Sequence, residues 1–172
     1  MNNNTEDIIR NIELFKYMGE KEISILLNTG IVKQLKKNEI IFNEKDKSDF
    51  FYVIKKGKVE VFLERGENTI TITHLSTGSF FGEIGFFTSS LRSASIRTEE
   101  PTELIVYEKE NLIPLLEQNK NIGYLFLKAL IESLAKRIVV SNENLETLFF
   151  INRALVDNEK FRNLFITYSK SK

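Results

Sequence analysis

Between Ile31 and Glu108 the chain is broken every few residues, and this limits it to short strands. Ile40-Ile41-Phe42, Phe50 to Ile54, Val59 to Leu63 and Ile70 to Thr73 are rich in β-branched and aromatic residues. Lys37-Asn38, Asp46 to Asp49, Lys56-Gly57 and Arg65 to Asn68 cut them apart. Val59, Val61 and Leu63 alternate with their neighbours, the period of a half-buried strand. Ala94 to Thr98 and Glu103 to Tyr107 supply closing strands around a turn at Pro101. Strands at this spacing pack as a barrel or a sandwich. Helical patterns flank them. Ile8, Ile9, Ile12, Phe15 and Met18 recur at helical spacing behind Thr5 as a cap, and a short helix follows from Glu20 to Leu27. Asn111 can cap another through Glu117, with Pro114 in its first turn.

A long helix is expected from Ile122 to Ile151. Within it Leu127, Ile131, Leu134, Ile138, Ser141, Leu145 and Leu148 alternate by four and three residues. Ile at two of the a positions and Leu mostly at d suit a parallel two-stranded coiled coil. The stripe is wide, with Leu130, Phe149 and Ile151 also apolar, so it can serve a dimer, pack on the strands, or both. The expected class is α+β. Helices occupy 1–28, an antiparallel β-barrel or jelly roll 29–108, and a short helix plus a long C-terminal dimerisation helix 109–151. An Asp157-capped short helix and tail take 152–172.

Composition excludes several chemistries. Lys+Arg and Asp+Glu both number 24, so there is no basic surplus of the kind that tracks nucleic acid. The chain has no cysteine, which removes disulfides, thiolate metal sites and cysteine nucleophiles. No metal site, Ser-His-Asp set or phosphate-binding P-loop is present, so the chain is not expected to be an enzyme. No apolar run reaches the ~20 residues of a membrane helix. The polar, acidic start is unlike a signal peptide, so a cytoplasmic protein without membrane contact is expected. With 42% hydrophobic residues and 14 Phe the chain can build a core.

The segment Phe81 to Ile96 carries the chemistry. Gly82-Glu83 stands nine residues before Arg92-Ser93-Ala94. An arginine fork matches phosphate oxygens, a glutamate accepts from sugar hydroxyls, and glycine lets backbone approach a ligand. A ribonucleotide phosphate would satisfy all three groups.

This stretch resembles the phosphate-binding cassette of the cyclic nucleotide-binding domain family, which includes catabolite activators, kinase regulatory subunits and gated channels. The family pattern F-G-E-[LI]-[AG]-L, then R-[STA]-A-[ST]-[VI], is matched by Phe81-Gly82-Glu83-Ile84-Gly85-Phe86 and Arg92-Ser93-Ala94-Ser95-Ile96. Gly57 and Gly78 stand where the family has turn glycines. The likeness spans about residues 12 to 151. Asn43-Glu44 departs from it, standing where the family has a Gln-Gly-like pair.

The resemblance implies a double-stranded β-helix and a cyclic AMP or cyclic GMP ligand, with no cofactor. Arg92 would bind the cyclic phosphate and Glu83 the ribose 2′-hydroxyl. Backbone N–H groups at Ile84, Ser93 and Ala94 would complete the anion nest. Val61, Ile72 and Leu75 align with base-pocket positions, where plain core is an equal reading. Ala135 to Glu143 resembles the activator helix segment A-R-R-L-x-V-T-S-E, which implies Ser141 and Asn142 at the purine and favours cyclic AMP. Arg137 could pair with Glu83. His74, the single histidine, makes a poor haem ligand without a partner. A switching sensor is therefore implied. The 21 residues from Asn152 to Lys172 are too few for a three-helix DNA reader, so no direct nucleic-acid contact is expected. The alternatives are the effector part of a Crp/Fnr-type transcription regulator, and a dimerisation module of the same fold that binds no nucleotide.

Overall fold

The structure, a computed structural model, describes residues 9 and 11–157, the side chains of 151 and 154–157 apart. The chain divides into two compact units, Met1–Leu130 and Ile131–Lys172. Where a helix was expected through Ile12, Phe15 and Met18, residues 11–19 hold only a 3₁₀ turn at Glu13–Phe15, which precedes α1 (Glu20–Thr29). Eight strands follow: β1 (Ile31–Leu35), β2 (Ile40–Phe42), β3 (Phe50–Lys56), β4 (Lys58–Arg65), β5 (Asn68–Ser76), β6 (Phe80–Phe81), β7 (Ser95–Thr98) and β8 (Thr102–Glu108). A short helix α2 (Glu83–Thr88) separates β6 from β7. Then come α3 (Lys109–Gln118) and α4 (Lys120–Asp157).

The strands form two antiparallel four-stranded sheets, in the orders β1-β8-β3-β6 and β2-β7-β4-β5. The expected α+β jelly roll is therefore present as two sheets, not as a closed barrel. Gly57 carries the chain from β3 in one sheet to β4 in the other. Its φ is +111°, and a Cβ there would lie 2.5 Å from Thr102 Oγ1. Glycine is required here for conformation and for space.

Two apolar cores result. Leu35, Phe42, Tyr52, Ile54, Val59, Phe81, Ile96 and Leu104 fill the space between the sheets. The alternate residues of β3 and β8 build the second core, because side chains alternate across a strand. There Phe51 has ring centroids of Phe80, Phe86, Phe87, Tyr107 and Phe126 within 5.7–6.2 Å. The Tyr107 hydroxyl is buried without a partner, and burial raises its pKa.

Some expected boundaries move. The segment after Gly82 holds one and a half turns of helix. The helix expected from Asn111 begins at Lys109, directly off β8, and Asn111 donates Nδ2 to Glu108 Oε2 at 3.1 Å instead of capping. Pro114 consequently sits in the second turn and has no N–H to offer the Glu110 carbonyl. The long helix starts two residues earlier than expected and reaches Asp157, which lies in its last turn. The Thr5 cap and the short helix expected within 152–172 fall largely outside the described residues.

In the second unit α4 exposes Ile131, Ile138, Leu145 and Leu148 along the expected seam, and Val139, Val140, Phe149 and Phe150 beside it. No helix among the described residues is long and apolar enough to cross a membrane.

Candidate functional site

Phe80-Phe81 ends as a buried two-residue strand, and Gly82 turns the chain with φ +81° into α2. Glu83 opens that helix and is buried, while Ile84 beside it is exposed. Gly85 packs against the next loop: a Cβ there would meet Ser48 Oγ at 2.6 Å. Ser48 Oγ donates to the Ser90 carbonyl at 2.5 Å, tying the end of the segment to the loop after β2. Ser89 ends α2 in the left-handed region, and Lys109 Nζ donates to its hydroxyl at 2.9 Å.

Arg92 then enters the interior and is only 4% exposed. Its Nη1 donates to the Gly82 carbonyl at 2.9 Å and its Nη2 to the Phe50 carbonyl at 2.6 Å. The guanidinium carbon stands 4.1 Å from the Phe42 ring centroid and 5.6 Å from that of Tyr52. Its Nε is buried without a hydrogen-bond partner. Burial lowers the Arg92 pKa, opposed by Tyr52, Asp49 and Asp46. Burial likewise raises that of Tyr52, against the nearby cation. Arg92 forms no ion pair with a carboxylate among the described residues. Its hydrogen bonds go to the neutral Gly82 and Phe50 carbonyls, with the Tyr52 hydroxyl a further polar neighbour and Asp46 and Asp49 acting only from a distance. A buried cation so placed favours a bound anion.

The backbone of Arg92 is held as firmly. Lys45 N–H donates to the Arg92 carbonyl at 2.9 Å, and Arg92 N–H to the Asp46 carbonyl at 2.9 Å. The Glu44 N–H donates to Ser95 Oγ at 2.9 Å. Arg65 grips Glu44 through both carboxylate oxygens at 2.7 and 3.1 Å, which lowers the Glu44 pKa. The left-handed residue of this loop is Lys45, φ +70°, next to the Asn43-Glu44 pair that departs from the family pattern.

The first unit thus brings Gly82, Glu83, Ile84, Arg92, Ser93 and Ala94 into one segment folded back on itself. Ser93 is exposed, and Ala94, just before β7, is buried. Val61 and Leu75 are half-buried against the inter-sheet core, and Ile72 is exposed at the irregularity where β5 slips against β4. Arg137, Ser141 and Asn142 lie on α4 in the second unit. Sequence reasoning missed Phe42, Tyr52 and the Phe50 carbonyl. Their approach to Arg92 depends on β2, β3 and the cassette converging, and no local spacing carries that signal. The acidic loop Asp46 to Asp49 was the nearest hint.

The family model described as the cyclic nucleotide-binding domain matches residues 32–119. The chain belongs to this family. It is similar to a cGMP-dependent protein kinase of Eimeria tenella, 26% identical over 140 residues that take in 81% of this chain and 13% of the kinase. It is similar also to a cAMP-activated global transcriptional regulator of Pasteurella multocida, 33% identical over 110 residues, 62% of this chain and 50% of the regulator. The chain therefore spans half or less of the length of these relatives. Among solved structures it resembles the Thermus thermophilus catabolite activator protein with a TM-score of 0.70 and 27% identity, covering 80% of this chain and 63% of that one.

Proposed function

We propose that this protein is a cyclic-nucleotide sensor, regulatory and not catalytic, that binds cyclic AMP in preference to cyclic GMP. The observation that carries the reading is Arg92, a buried cation with neutral hydrogen-bond partners, an unpartnered Nε and the glycine-lined turn at Gly82 against it. A cyclic phosphate would supply the missing charge, with Ile84, Ser93 and Ala94 offering backbone donors and Glu83 accepting the ribose hydroxyl. The lean to cyclic AMP rests on the likeness of Ala135 to Glu143 to the activator helix. Output would pass from α2 through Phe86 and Phe87, whose ring centroids lie 5.0 Å apart. Phe87 meets Phe126 of α4 at 6.4 Å, so a ligand that moves α2 would move the start of the long helix. Two copies would associate along the exposed seam of α4. A cytoplasmic setting agrees with the cysteine-free composition.

The test is a calorimetric titration of nucleotide-stripped protein with cyclic AMP and cyclic GMP, with Arg92→Ala as control. A charge-assisted hydrogen bond in a shielded site is worth about 1.5–3 kcal/mol, so the variant should bind roughly ten- to a few hundred-fold more weakly. Wild-type protein silent to both nucleotides up to millimolar concentration would sink the reading.

A further inference from the structure

Phe42 faces the inter-sheet core, yet its ring also lies against the cassette. Besides the Arg92 guanidinium at 4.1 Å, it meets Tyr52 at 5.6 Å and Phe81 at 6.0 Å. Tyr52 and Phe81 are stacked at 5.0 Å with planes 8° apart. Phe81 immediately precedes Gly82. One ring cluster therefore touches the start of the cassette and, through the Arg92 cation, its end. The strand β2 that carries Phe42 pairs with β7, which begins three residues after Arg92; Phe42 stands opposite Ile96, beside an irregularity in the ladder between Ile40 and Phe42.

The guanidinium is oriented in two independent ways. The Gly82 and Phe50 carbonyls take its edge, and Phe42 lies against it as an aromatic partner. A cation near an aromatic ring is attracted most where water is excluded, and Arg92 is nearly fully buried. An arginine held before its ligand arrives loses less conformational freedom on binding. Leucine or methionine at position 42 would keep the site apolar but offer no quadrupole to the cation.

We propose that Phe42 is a positioning residue for the anion-binding Arg92. The ligand in this proposal rests on the cyclic-nucleotide reading; the contact itself does not.

The test therefore has two arms on the full chain, using wild type, Phe42→Leu, Phe42→Met and Phe42→Tyr, each checked for cooperative melting. In the first, ligand-free protein is treated with phenylglyoxal and modification of Arg92 is followed by peptide mass spectrometry. Wild type and Phe42→Tyr should react slowly, and the aliphatic variants about tenfold faster, as expected for release from a desolvated cation–π contact. In the second, cyclic AMP is titrated calorimetrically. The aliphatic variants should lose about tenfold in affinity while Phe42→Tyr stays within about twofold of wild type. Methionine is the fallback if leucine leaves a void that unfolds the core. Arg92 reactivity unchanged in every folded variant, or Phe42→Tyr behaving like the aliphatic variants in both arms, overturns the proposal. Wild type that binds no cyclic nucleotide would overturn the sensor reading instead, while the phenylglyoxal arm still decides whether Phe42 holds Arg92.

Discussion

Gly82 and Arg92 approach each other more closely than any other residue at position 82 would allow. The Gly82 carbonyl accepts from Arg92 Nη1 at 2.9 Å, and a Cβ on Gly82 would stand 2.7 Å from that same nitrogen. Gly82 also has φ +81°, where an L side chain costs about 1–2 kcal/mol. Gly82→Ala should therefore push the guanidinium off its carbonyl and lower the melting temperature by about 2–8 °C. Cyclic-nucleotide affinity should fall at least about tenfold, as one lost charge-assisted bond implies. Calorimetry beside thermal melts checks both, and unchanged affinity would count against the site.

Two other left-handed positions give opposite expectations. Gly57→Ala would place a Cβ 2.8 Å from the Thr102 Cα, a backbone atom that cannot turn aside, at a φ of +111°. Strain and overlap together should cost about 2–4 kcal/mol. Lys45 already bears the left-handed penalty with a side chain. Lys45→Gly should be neutral or stabilise by up to about 1 kcal/mol, the relieved strain offset by the added freedom of the unfolded chain. Urea melts of the two variants would show one midpoint fall and the other hold or rise. A Lys45→Gly midpoint well below wild type would mean that the lysine side chain supports the loop.

The strands, the turn glycines and the long helix were legible in the sequence because each rests on local periodicity or on a residue with special backbone freedom. Gly57 and Gly78 both have positive φ. The cassette was legible through its residue types, which fall in one short window. The two-sheet pairing was not. Sequence neighbours such as β3 and β4 pair in different sheets, and β1 finds β8 across the whole sandwich. The surroundings of Arg92 were hidden for the same reason. Phe42 and Tyr52 have the pattern of ordinary core residues, and only tertiary convergence turns them toward a cation. The helix at Glu83–Thr88 was missed because six residues, with one Gly and two adjacent Phe among them, are too few to show helical periodicity.

The outer face of the second sheet should make the protein acid-sensitive. The Thr71 hydroxyl donates to Glu60 at 2.5 Å and Arg97 Nε at 2.7 Å, and these bonds hold the Glu60 carboxyl below its ordinary 4.5. Glu44 is lowered by Arg65. Burial pushes Glu99 up, but hydrogen bonds from Lys58 and His74 leave it lowered. Each native pKa lies below its unfolded value, so the stabilisation is complete above about pH 4.5 and is lost as pH falls through the native values. Thermal melts between pH 7 and pH 3 should be level at first and then decline. Glu60→Gln should start lower at neutral pH and decline less steeply. A variant as acid-sensitive as wild type would show that Glu60 is not a source of the effect.

The seam of α4 makes the proposed dimer testable without any ligand. Ile131, Ile138, Leu145 and Leu148 are each 60–65% exposed and follow the four-three spacing of a coiled coil. Exposed apolar side chains in one stripe cost solubility unless they are covered. Covering them in a parallel pair gives knobs-into-holes packing, with Ser141 as the polar break at a d position. Ile138→Asp would set two carboxylates against each other at the two-fold axis. Sedimentation equilibrium should find wild type near twice the 20.0 kDa chain mass at micromolar concentration. Ile138→Asp should sediment near the single-chain mass. Ser141→Leu should tighten the pair, since an apolar d residue replaces one that adds no burial. The two substitutions thus move association in opposite directions, which general loss of folding cannot do. Wild type that remains a single chain at about 100-fold higher concentration, equivalent to about 2.7 kcal/mol, would assign the stripe to another role.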